Sequence, residues 1–169
     1  MAVSDPQQAW QEWLNSLDAP RKTAAQSLRA QYSALGVTDP VDLIKSEVME
    51  GLPQLARFVL LRSLWRGAID DWAEPGPLAQ LPAVQRLLAA GADRADLVRL
   101  VRAVAYEAVF ATLDELDAGG GANASGVEAG WVVMEAGGDG GPTGRALSGL
   151  HEDLLTMDPS GRDGADLWQ

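Results

Sequence analysis

Along the first two thirds of the chain, apolar residues recur at three- and four-residue intervals, with helix punctuation between the runs. Trp10, Trp13, Leu14 and Leu17 share one stripe behind Asp5-Pro6, a capping residue followed by a first-turn proline. Asp18-Ala19-Pro20 restarts the chain into a second helix carrying Ala24, Leu28, Tyr32 and Leu35, which Gly36 stops. Thr38-Asp39-Pro40 opens a short third helix with Val41, Ile44 and Val48, ending near Gly51. From Pro53 to about Trp72, Leu55, Phe58, Val59, Leu61, Leu64, Trp65, Ile69 and Trp72 cover much of a helix circumference, the pattern of a central helix. Pro75-Gly76-Pro77 breaks the chain, and a short helix follows at about 82–90. A long helix then starts near Asp93 and keeps Leu97, Leu100, Val101, Val104, Ala108 and Ala111 on one face.

The pattern changes at Gly119. Residues 119–130 contain five glycines and little to pack, which predicts a flexible loop. Trp131 to Ala136 reads as a strand, Gly137 to Gly144 as a turn, and Arg145 to Leu150 as a partner strand. Leu150, Leu154 and Met157 suit a last helical turn, Asp158-Pro159-Ser160-Gly161 a chain reversal, and Trp168 a return to the body. The expected fold class is therefore α+β and predominantly α-helical: a bundle of about five to six helices with a small C-terminal β-hairpin. The expected organisation is one domain, with the bundle at 1–118, the loop at 119–130, and a hairpin and tail packed on the bundle at 131–169.

Composition agrees with a packed domain, since 47% of the 169 residues are hydrophobic and 22% charged. The longest apolar run, Phe58 to Leu61, closes at Arg62, and no leader-like segment opens the chain, so a cytoplasmic protein with no membrane span is expected. Cysteine is absent, which removes disulfides, thiolate metal sites and cysteine nucleophiles. The net charge is −11 and unevenly spread: residues 119–169 hold eight acids against only Arg145 and Arg162. Such a surface repels phosphate backbones and anionic headgroups, so no nucleic-acid or membrane partner is expected. A basic protein would be steered toward it.

Three stretches are candidates for chemistry. Glu107 is the one charge between Ala105 and Leu113, which predicts partial burial and a raised pKa unless a cation is near. Arg57, Arg62 and Arg66 lie on the otherwise apolar fourth helix, so the favoured reading of Glu107 is a structural Arg–Glu pair between two central helices. The functional alternative makes it a general base or ligand-binding group. The second stretch is His151-Glu152-Asp153, where the single histidine has the chain's only side chain with an ordinary pKa near neutrality. Its favoured reading is a solvated helix start, and neither a metal site nor a cofactor is expected, because the spacing matches no ligand motif. The third, Gly137 to Gly144, lacks the Lys and Ser/Thr of a phosphate loop and reads as a hairpin turn. Of the six tryptophans, Trp10 and Trp13 share one helical stripe and Trp65 and Trp72 another, a spacing that reads as core.

On this footing the first functional expectation is a non-enzymatic protein-binding module, inhibitor- or immunity-like, contacting a basic partner through its C-terminal part. The alternative is a small enzyme or ligand-binding domain using Glu107 and His151, with Arg62 and Arg66 as an anion clamp.

Overall fold

A computed structural model describes residues 5–119 and 130–168. The expected glycine-rich loop lies outside the described residues except at its ends, Gly119 and Gly130. Among the described residues the fold is predominantly helical α+β: α1 (Pro6–Ser16), α2 (Ala19–Ala34), α3 (Val41–Glu50), α4 (Gln54–Leu64), α5 (Pro75–Ala79), α6 (Pro82–Ala89), α7 (Arg94–Ala118), then an antiparallel hairpin of β1 (Val133–Ala136) and β2 (Pro142–Leu147). The chain divides into two units, 1–56 with 135–145, and 57–134 with 146–169.

In the first unit the predicted caps form. Asp5 accepts from the Gln7 amide at 3.0 Å and Asp18 from the Arg21 amide at 2.9 Å, which satisfies donors that a helix start leaves open. Gly51, at φ 76°, ends α3 in the left-handed conformation that favours glycine. Trp10, Leu14, Ala25, Leu28, Tyr32 and Ile44 are buried. On α2, Leu28 and Tyr32 are buried as expected, while the buried small residue is Ala25 rather than Ala24 and Leu35 stays exposed. Glu47 is buried on α3 and is satisfied there: one oxygen accepts from the Leu55 amide at 2.8 Å and the other from Arg145 at 3.0 Å.

In the second unit the helix expected from Pro53 to Trp72 is wound in three ways. α4 ends at Leu64, Trp65–Ile69 form a π turn closed by the Asp70 amide on the Trp65 carbonyl, and Asp70–Ala73 form a 3-10 turn. Phe58, Leu61, Trp65 and Ile69 are buried along it. Pro75 and Pro77 do not simply break the chain. They sit in the one turn of helix where a missing amide costs nothing, and α5 is the result. β2 starts at Pro142 rather than Arg145, because the turn closes early, with the Gly137 amide on the Gly141 carbonyl at 2.8 Å.

The C-terminal segment carries only short 3-10 turns, Leu155–Met157 and Ala165–Leu167, yet Leu150, Leu154 and Leu167 are fully buried. It is bound by directed contacts, since the indole N–H of Trp65 donates to the Leu154 carbonyl at 2.5 Å. Asp158, also buried, accepts from the Ser160 amide, the Ser160 hydroxyl and the Gly164 amide at 2.7–2.9 Å. Burial opposes its ionisation, but those donors and the Arg162 charge outweigh it and hold the carboxyl below its usual range. Trp168 meets the Tyr106 ring edge-on at 5.9 Å while keeping most of its surface exposed.

Candidate functional site

α7 supplies the second unit with two chemically different surfaces. Its final turns place Asp114 and Asp117 three residues apart, on neighbouring positions of the helix surface. Gly149, at φ 64°, turns the chain after β2 so that Leu150 is buried and His151 meets this end of α7. One oxygen of Asp117 takes both the backbone amide of His151 at 3.1 Å and its Nδ1 at 2.7 Å. Nε2 lies 3.7 Å from Asp114, and the Phe110 ring stands perpendicular to the imidazole at 5.5 Å. The hydrogen bond that the imidazole donates to Asp117 raises its pKa; desolvation works against it, and the charges of Asp114, Asp117 and Glu152 add to the rise. A cation here also faces the negative end of the α7 dipole.

The three residues of the His151-Glu152-Asp153 run go separate ways. His151 turns to α7, Glu152 is exposed, and Asp153 pairs with Arg57 of α4, whose guanidinium also donates to the Gly149 carbonyl at 3.1 Å. The run is therefore a tie between two helices and not a solvated helix start. Among the described residues, no three acid or histidine side chains are placed to hold a metal ion.

Glu107 is not where its apolar surroundings predict. It is exposed, and among the described residues it forms no ion pair, so the expected Arg–Glu pair between central helices is absent there. The reason is geometric, because α7 buries only one side and its apolar stretch continues onto the uncovered side. Arg62 lies over the Phe58 ring at 5.1 Å and Arg66 is exposed. The charge pairing expected of Glu107 is made instead by Arg102, which reaches Asp70 at 2.7 Å and Asp166 at 2.6 Å. Burial disfavours the Arg102 cation, but the two carboxylates outweigh it and raise its pKa. Asp117, Asp114 and Arg102 were not singled out by sequence pattern. One signal was legible: acids in the last turn of a long helix oppose its dipole and call for a cationic partner.

The second surface of α7 is apolar and is left open by the described residues. Leu100, Val104, Ala108, Thr112 and Leu116 recur every four residues, forming one ridge of the helix. Leu100 and Val104 are each 60% exposed, so most of the predicted apolar stripe faces solvent, while the core takes Tyr106 and Leu113 from the other side. Between the C-terminal part of this ridge (Ala108, Thr112 and Leu116) and Leu60 and Leu64 of α4 lies a groove of about 350 Å³, also lined by Val109, Leu113 and Val133 and by no charged residue. From Val104 to Gly119, every charged residue of α7 is an acid: Glu107, Asp114, Glu115 and Asp117.

In the first unit the arginine beside the glycine-rich turn is already engaged. Arg145 follows the glycine-rich turn, but its Nε and Nη2 both go to Glu135 and its Nη1 goes to Glu47. Burial opposes Glu135's ionisation, and the hydrogen bonds from Arg145 and Thr143 overcome it, lowering its pKa. A guanidinium so committed pins the hairpin turn and offers phosphate little. Comparison of the chain with protein-family models, curated proteins and solved structures finds no match.

Proposed function

We propose that the protein is a non-enzymatic protein-binding module that takes a basic partner on its acidic surface, in the manner of inhibitor- or immunity-type proteins. The observation that carries this reading is the charge on the C-terminal half of α7. Glu107, Asp114 and Glu115 are exposed beside an uncovered apolar surface, with no arginine or lysine between Val104 and Gly119 to offset them. Such a surface accelerates encounter with a cationic protein and disfavours anionic ones. The C-terminal third adds less open charge than its composition implies. Among the described residues, Glu135, Asp153, Asp158 and Asp166 are held by arginines or backbone amides and only partly exposed or buried, while Asp139, Glu152 and Asp163 are exposed.

The test is capture from native lysate by the full chain, at about 50 mM and about 500 mM salt, against a Glu107→Gln/Glu115→Gln variant. The expected result is a cationic protein retained at low salt, released at high salt and depleted on the variant. Retention indifferent to both changes would remove the reading.

One observation favours the second reading, a small enzyme or ligand-binding domain. The Asp117–His151 hydrogen bond fixes Nδ1 as a donor and leaves Nε2 available to exchange a proton. Its other elements do not converge, since Glu107 has no ion pair with Arg62, Arg66 or His151 among the described residues. His151→Gln leaves salt-sensitive capture intact under the first reading, and loss of capture would favour the second.

A further inference from the structure

The uncovered ridge of α7 has a definite shape. Three residues of it at four-residue spacing, Ala108, Thr112 and Leu116, line the groove and extend for about 12 Å at the helical rise. The facing pair on α4, Leu60 and Leu64, repeats the same spacing. Two such ridges bounding one trough are the geometry that receives the side-chain row of a third helix. Ala108 and Thr112, the small residues of this row, let that helix approach closely. The Thr112 hydroxyl is already spent on the Ala108 carbonyl at 2.8 Å, so it asks no hydrogen bond of an occupant.

Charge selects the occupant. The groove lining holds no ionised group, its α7 border is entirely acidic, and the one charge between Leu60 and Leu64 on α4, Arg62, lies over Phe58. A second copy of the chain would bring its own −11 charge and the same acids to that border, so self-association is opposed. We infer that this groove docks one amphipathic helix of a partner protein, apolar on the face that enters the trough and lysine- or arginine-rich along the flank that meets Glu115, which adjoins Thr112 on the helix surface. The inference rests on the reading of the protein as a binder of basic partners and assigns that binder its site.

The test uses the full chain and a labelled synthetic 18-residue peptide with leucines at i, i+4, i+7 and i+11 and lysines elsewhere. A second peptide keeps the leucines and replaces every lysine by glutamate. Fluorescence anisotropy and circular dichroism at two salt concentrations follow binding and helix formation. The lysine peptide is expected to bind with a dissociation constant in the micromolar range and to become helical, while the glutamate peptide does not bind. Ala108→Glu is the decisive variant. It adds an acid, so purely electrostatic attraction would strengthen, whereas a helix seated in the trough is blocked and binding weakens at least about tenfold. Ala108 is exposed, so the variant folds; Leu87→Glu, at an exposed leucine of α6, is expected to leave binding unchanged.

No binding of the lysine peptide, equal binding of the glutamate peptide, binding without helix formation, or indifference to Ala108→Glu would each overturn the groove as the docking site. If Ala108→Glu still captures a salt-releasable basic protein from lysate, the groove assignment falls while the binder reading stands. If nothing basic is captured by wild type, the binder reading falls as well.

Discussion

Asp117 grips His151 at two atoms through a single oxygen, the backbone amide at 3.1 Å and Nδ1 at 2.7 Å. The ring is therefore oriented by its own main chain, and the carboxylate reaches it at the end of α7 where a positive charge is favoured. With one histidine in the chain, its titration is read without ambiguity by proton NMR. The midpoint is expected above the ordinary 6.5, and Asp117→Asn is expected to bring it down. In the unfolded chain the imidazole returns to its ordinary value. The stabilisation it provides is thus fully present below about pH 6.5 and disappears as pH rises through the folded midpoint. Urea midpoints of wild type and His151→Gln should differ most at about pH 5.5 and converge above that midpoint.

Arg102 is the charge on which the second unit most depends, with 12% of its side chain exposed and two carboxylates in reach. Arg102→Met leaves Asp70 and Asp166 to repel each other. The expected loss is about 2–4 kcal/mol, below the figure for a fully buried pair because Asp70 is about a third exposed. Asp166 keeps Arg162 at 3.1 Å, so Asp70→Asn in the Arg102→Met background should recover part of the loss. Denaturant unfolding measures both.

Glu107→Gln separates the structural expectation from the observed position. A pair between central helices would make the change cost several kcal/mol, whereas an exposed glutamate without an ion pair changes stability by no more than about 0.5 kcal/mol. A loss above about 2 kcal/mol on urea unfolding would put this residue in the core after all.

Gly164 holds φ at 69° beneath the Trp65 ring, and a Cβ there would come within 2.9 Å of Leu155. The leucine can shift, so backbone strain dominates the cost. Gly164→Ala is expected to destabilise by about 1–2 kcal/mol, read as a lowered thermal midpoint, while Gly138→Ala, with open space around it, stays near neutral.

Helix starts and stops were legible at Asp5, Asp18, Asp93 and Gly51, where a capping side chain or a glycine announced them, but not at Pro75, which opens α5 instead of breaking the chain. The apolar stripe of α7 was legible as a stripe but not as an uncovered one, because periodicity reports which side is apolar and nothing about what lies against it. The same blindness misplaced Glu107. The π turn after Leu64 carries no local signature, since Phe58, Leu61, Trp65 and Ile69 fit ordinary helical spacing equally well. His151 was visible as the lone titrating residue near neutrality, but its partner Asp117 lies 34 residues away and only folding joins them.

The segment after the hairpin crosses the second unit with almost no regular structure, yet long-range bonds tie it down: Arg57 to Gly149, Trp65 to Leu154, and Arg102 to Asp166, separated by 92, 89 and 64 residues. During synthesis α4 and its π turn therefore leave the ribosome well before the carbonyls and carboxylates that will receive their donors. The indole of Trp65 waits, undercovered, for some ninety residues of translation. Until Leu154 is made, the Trp65 indole N–H lacks its native acceptor, so the hydrogen bonding of α4 and its π turn is complete only with the C-terminal segment in place.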